Sequence, residues 1–283
     1  MALRLCLLAA VLLEETHPYS YCSEERLAAL RSLHWNFTVY IGYQSSPTAA
    51  GYERREAIRR RCGCVYDAAG IAPKFYVGLP LPWAGADNRR SEFFAKKQGS
   101  KAAPDAVKTS DAIVAEATRE GDVVPLFMWE TYAATSAKVA ALMRDGAASA
   151  DFVVKVDDDR CVAPKHLHDA LAEFSRSRAP GEELYLGTYL FKGTEYTSME
   201  GYDGTTSPFQ AGPTYVLSAG LARSIFVADR LHTTFHYKYG TEMEDSNVGK
   251  WVQYAKETRG VAVRVAVKRD ISFDVETGHS RRP

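Results

Sequence analysis

The residues with the strongest chemical signature close an apolar run, Phe152-Val153-Val154-Lys155-Val156-Asp157-Asp158-Asp159. Three adjacent carboxylates repel one another. At the carboxyl end of a buried strand, where open α/β sheets place their ligands, they make sense around a cation. Hard oxygen ligands suit Mg²⁺ or Mn²⁺, and such an ion takes phosphate oxygens as further ligands. The triplet therefore points to a metal–diphosphate substrate, with a solvated acidic turn as the plain alternative. A D-x-D after a strand also serves aspartyl-phosphate phosphatases. That chemistry wants a Thr two residues after the second Asp, and here the position is Cys161.

A second acidic pair, Glu244-Asp245, lies in Glu242-Met243-Glu244-Asp245-Ser246-Asn247-Val248-Gly249. Carboxylates at a helix start are favoured by its dipole. The same pair could supply a general base that deprotonates an attacking hydroxyl.

These groups must be positioned by regular elements. Helical spacing is legible over 24–33, 52–61 (very basic), 110–120, 135–145 (ended by Gly146), 164–178, 218–229 and 242–254. Strand patterns occupy 38–43, 74–77, 123–127, 151–156, 184–190, 214–217 and 261–267. Strands alternating with helices give an α/β class with a Rossmann-like, mostly parallel central sheet flanked by helices. No linker divides the chain.

Composition agrees. Of 283 residues, 46% are apolar and 25% charged, as in a globular protein. Lys plus Arg and Asp plus Glu both number 35, which argues against a nucleic-acid partner bound through a broad basic surface. The N-terminus has Arg4 and an apolar run from Leu5 to Leu13. That run is shorter than the about 20 residues a spanning helix needs. Residues 1–20 therefore read as a signal-like segment or a truncated membrane anchor, and 21–283 as a single catalytic domain. Beyond Cys6, the cysteines Cys22, Cys62, Cys64 and Cys161 allow up to two disulfides of unspecified connectivity. The lone C-x-C at Cys62 and Cys64, with no second C-x-C or His cluster beside it, argues against a structural zinc site. Asn36-Phe37-Thr38 is a formal glycosylation sequon.

The motifs fall in an order that resembles the β-1,3-glycosyltransferases of glycosyltransferase family 31, which include the β-1,3-galactosyltransferases. The R-x-x-I-R block is Arg55 to Arg59, and the strand ending in Gly is Phe75-Tyr76-Val77-Gly78. E-x-x-x-x-G-D is Glu116 with Gly121-Asp122, followed by Glu130-Thr131-Tyr132 and Lys138. K-x-D-D-D is Lys155 to Asp159; Pro208, Gly212, Tyr215 and Ser218 form the next block; Glu244-Asp245 with Gly249 close the series. The resemblance covers about residues 37 to 255. Three departures stand out: Arg61-Cys62 where the family has Thr-Trp, Arg160-Cys161-Val162-Ala163 where it has x-Phe-Val-Asn after the triplet, and no Cys shortly before the triplet strand.

The resemblance implies a GT-A fold and an inverting reaction using a UDP-sugar donor with Mn²⁺ (or Mg²⁺). It implies Asp159 as a metal ligand, with Asp157 and Asp158 on ribose or supporting the metal, and Asp157 also counted among the ligands. His279 is the metal-ligand candidate near the C-terminus. Asp245, with Glu244 beside it, would act as the base. Arg55, Arg59 and Lys138 would help bind nucleotide or phosphate, although the basic run could equally be a solvated helix face. Lys155 would neutralise the acidic site. The expected product is a β-1,3-linked galactose on a glycan, glycoprotein or glycolipid acceptor. Alternatives are N-acetylglucosamine transfer and a non-catalytic carbohydrate-binding relative. The expected location is the Golgi membrane or lumen, with membrane association through a missing or shortened anchor.

Overall fold

The computed structural model describes residues 22–79, 106–128, 135–191, 209–210, 212–228 and 244–275. Seven strands form one sheet in the order β10-β6-β9-β4-β1-β2-β3. They are β1 (Val39–Ser45), β2 (Lys74–Gly78), β3 (Val123–Leu126), β4 (Phe152–Asp157), β6 (Glu183–Gly187), β9 (Thr214–Ser218) and β10 (Val263–Val267). Strand β9 runs antiparallel to both β4 and β6, and every other pairing in the sheet is parallel. The expected α/β class with a mostly parallel sheet is thus present.

Helices cover both faces. On one side lie α1 (Glu24–Arg31), α2 (Ala49–Ala69), α3 (Ala106–Glu120) and α5 (Pro164–Ser177); on the other lie α4 (Thr135–Ser149), α6 (Ala219–Arg223) and α7 (Glu244–Arg259). Side chains alternate between the two cores with the strand period of two. Val154 and Val156 join Ile58, Val65 and Leu167 on the first side, whereas Val153 joins Leu142, Met143 and Trp251 on the second. This double coverage explains the unbroken apolar run of β4. Each fully buried aliphatic or aromatic side chain contributes about 1.5–3 kcal/mol.

Several boundaries depart from the sequence pattern. Helix α2 extends well beyond 52–61: the Thr48 hydroxyl accepts from the Gly51 amide at its start, and Gly70 ends it at φ 68°. Gly146 does not end α4, which continues to Ser149. A Cβ there would lie 2.5 Å from Val153 Cγ1, so the glycine lets the helix rest against β4. The expected helix 218–229 is only α6, followed by a π-turn at Ser224–Ala228. Ser218 stands at its N-cap position, but its hydroxyl makes no capping bond; it donates to Glu183 and accepts from the Leu184 amide. Four short strands carry no readable alternation: β5 (Arg160–Val162) pairs with β11 (Ser272–Asp274), and β7 (Leu190–Phe191) with β8 (Phe209–Gln210).

Two disulfides, Cys22–Cys64 and Cys62–Cys161, supply the connectivity that spacing left open. The strand order reverses between β1 and β4, so their carboxyl ends flank the crevice where such sheets bind ligands.

Candidate active site

Asp157 is the last residue of β4, and Asp158 and Asp159 form the turn into β5. The three carboxylates do not share one counter-charge. On the α4 and α7 side, Lys155 Nζ donates to Asp157 Oδ1 and to the Gly212 carbonyl, both at 2.6 Å, and lies 3.3 Å from Glu244 Oε2. Burial pulls the Lys155 ammonium down, but the Asp157 and Glu244 carboxylates override it and hold the group above its ordinary value. On the α2 side, Asp158 accepts from Ser45 Oγ at 2.7 Å and from Arg54 at 3.1 Å. The main-chain carbonyl of Asp159 accepts from the Val275 amide at 2.9 Å.

Glu244 and Asp245 open α7, and both are buried. Asp245 Oδ1 accepts from the Ser246 amide at 2.8 Å. A Cβ on Gly212 would lie 3.2 Å from Asp245 Oδ2 and 4.0 Å from Asp157 Oδ2. One glycine therefore brings the first member of the triplet and the base candidate into the same small space. The Tyr215 hydroxyl donates to Glu244. Burial pushes the Glu244 carboxyl up to about 7; Lys155 and the Tyr215 bond oppose this, and the charges of Asp157 and Asp245 add to it. Burial also raises Asp245, against the Ser246 amide and Lys155.

The remaining expected residues are placed as follows. The Arg55 guanidinium is fully buried and committed to Glu116, Ser45 Oγ and the Ser46 carbonyl. It reaches the triplet only through Ser45. Arg59 pairs with Glu56, Glu116 and Asp122. Lys138 Nζ donates to the Ser45 carbonyl at 2.7 Å, at the carboxyl end of β1. His279 and the segment Glu130 to Tyr132 lie outside the described residues, as do Pro208 and Glu242. Ser45 was not singled out from the sequence; its position at the end of the first strand, beside the strand-order reversal, is the signal that identifies it.

Among the described residues, no group of three or more His, Cys, Asp or Glu side chains is placed to hold a metal ion. The donor chemistry still fits Mn²⁺ or Mg²⁺. Asp157 and Asp159 offer hard oxygens, and such an ion is commonly held by one or two carboxylates plus substrate phosphates and water.

The Galactosyltransferase family profile matches residues 99–259. A hydroxyproline O-galactosyltransferase of Arabidopsis thaliana is 30% identical over 152 residues, which is 50% of this chain but 21% of that relative. Among solved structures, Staphylococcus aureus TarS overlaps 84% of this chain and 36% of its own, at 11% identity and a TM-score of 0.40. Glucosyl-3-phosphoglycerate synthase of Mycobacterium tuberculosis, solved with Mn²⁺, UDP and phosphoglyceric acid, overlaps 92% of this chain and 76% of its own, at 14% identity and a TM-score of 0.39. Both structural overlaps are loose, and the family match carries the identification.

Proposed function

The chain belongs to the galactosyltransferase family, and from that premise we propose that it is an inverting, metal-dependent hexosyltransferase. It moves galactose from UDP-galactose to a hydroxyl of a glycan or glycoprotein acceptor and forms a β-1,3 linkage. The observation that supports this reading best is the convergence of Asp157 and Asp245 on Gly212, with Lys155 bound to the first and close to Glu244.

Asp157 and Asp159 would hold the Mn²⁺ or Mg²⁺. When bound, the ion would supply Lewis-acid stabilisation of the departing diphosphate. Asp158, fixed by Ser45 and Arg54, shapes the nucleotide side of the crevice. Lys138 holds the end of β1 there through the Ser45 carbonyl.

Asp245 is the general base. It takes the proton of the acceptor hydroxyl while the hydroxyl oxygen bonds to the anomeric carbon and the bond to UDP breaks on the opposite face. Inversion follows from that geometry. Burial raises the affinity of Asp245 for a proton, which makes it a stronger base toward the acceptor hydroxyl. Glu244, held by Tyr215 and Lys155, steadies the start of α7 beside it.

The two disulfides suit an oxidising compartment, which supports a place in the secretory pathway, in the Golgi membrane or lumen.

A donor panel tests the reading. UDP-galactose should be turned over in the presence of Mn²⁺ and lost with chelator, and UDP-N-acetylglucosamine should be used poorly. Preference for UDP-N-acetylglucosamine would reassign the donor, and no turnover of either would contradict the assignment.

A further inference from the structure

The turn that carries Asp158 and Asp159 is held on one side by a single helix. Near the start of α2, Arg54 bonds Asp158. Farther along, Cys62 is joined to Cys161, two residues past the triplet. One turn later, the Tyr66 hydroxyl accepts from the Val162 amide at 2.8 Å. Arg61 adds an indirect hold: it donates to the Val275 carbonyl, and the Val275 amide donates to the Asp159 carbonyl. Cys62, Cys161 and Tyr66 are all buried, so these ties are shielded from water.

The grip has a physical purpose. Lys155 and Arg54 balance Asp157 and Asp158 in part, and the remaining repulsion among three neighbouring carboxylates favours a turn that splays open. A covalent tie two residues after the triplet, with a buried hydrogen bond to the residue that follows it, opposes the splaying. It therefore lowers the ordering cost of ligand binding. Outer supports of this kind set ligand geometry at metal sites.

We propose that α2, through the Cys62–Cys161 disulfide and Tyr66, positions the acidic turn for the cation and the diphosphate. Cys62, Cys161 and Tyr66 are then positioning residues for donor binding. This rests on the donor reading given above. The Cys22–Cys64 bond ties α2 to the segment just before α1 rather than to the turn, among the described residues, and serves as the internal control.

The test is calorimetric titration of UDP in the presence of Mn²⁺, together with steady-state kinetics. The proteins are wild type, Cys62→Ala/Cys161→Ala, Cys22→Ala/Cys64→Ala and Tyr66→Phe. Loss of either disulfide should lower the melting temperature. Only loss of Cys62–Cys161 should weaken UDP–Mn²⁺ binding, by about tenfold or more, with KM for donor rising more than kcat falls. Tyr66→Phe keeps the disulfide and leaves the buried Val162 amide without its acceptor; it should weaken binding in the same direction. It decides the matter if the Cys62→Ala/Cys161→Ala protein does not fold. Unchanged affinity in the variants, with wild type binding normally, overturns the clamp alone. Failure of wild type to bind UDP with Mn²⁺ overturns the donor reading, and the clamp falls with it.

Discussion

Arg55 and Glu116, 61 residues apart, meet in a buried two-pronged ion pair, with contacts of 2.9 Å from Nε and 2.5 Å from an Nη nitrogen. Arg59 also reaches Glu116, and then binds Asp122 through two contacts. Arg55 and Arg59 of α2 are therefore partnered by the acidic positions of α3 and the loop after it. Burial pushes Glu116 up, but the Arg55 and Arg59 bonds prevail and hold it below its ordinary value.

Removing Arg55 leaves the buried Glu116 carboxylate with Arg59 as its remaining cationic partner. Arg55→Met is expected to destabilise the fold by about 3–5 kcal/mol, whereas Arg55→Met/Glu116→Leu should recover most of that loss. Denaturant unfolding of the two variants checks this; equal stability for the single and double variants would contradict it.

The pH dependence of stability has opposite signs at two glutamates. Glu116 is depressed, so its contribution is present above the usual carboxylate value and is lost as the pH falls through its folded value. Glu244 is raised to about 7, so its contribution is full below the unfolded value near 4.5 and is lost as the pH rises through about 7. Glu244→Gln should flatten the decline in melting temperature between pH 5 and 8, windows set by these values. An unchanged slope would show that Glu244 is ionised throughout.

Lys250 on α7 has a buried Nζ that makes no hydrogen bond among the described residues, and burial lowers its amine to about 8. Charging it at neutral pH opposes folding. Lys250→Met is expected to raise the melting temperature at pH 7 by a few degrees, and the gain should shrink toward pH 10, above the lowered value. A lower melting temperature in Lys250→Met would contradict the account.

The sheet was legible because its strands are apolar and bounded by turn residues; β4, covered on both faces, shows this most clearly. The ends of the helices were less so. Gly146 resembles a stop, yet it is a packing glycine, and only the position of Val153 reveals the difference. The acidic triplet and Glu244-Asp245 were visible as motifs, but their convergence depends on β9 folding back antiparallel between β4 and β6, which brings Gly212 beside them. Local spacing carries no such long-range information. The same holds for Arg55 and Arg59. As basic residues near an acidic site they read as phosphate ligands, and the partners that occupy them lie on elements distant in sequence. Cys62 and Cys161 both stand at departures from the family pattern, and they are bonded to each other. Each looked like an isolated irregularity until the fold placed α2 against β5.

The most direct test of the central claim concerns Asp245. With UDP-galactose, Mn²⁺ and an accepted glycan, Asp245→Asn should bind UDP–Mn²⁺ as wild type does while transfer falls by about 10²-fold or more. Transfer at the wild-type rate in Asp245→Asn would show that the base lies elsewhere.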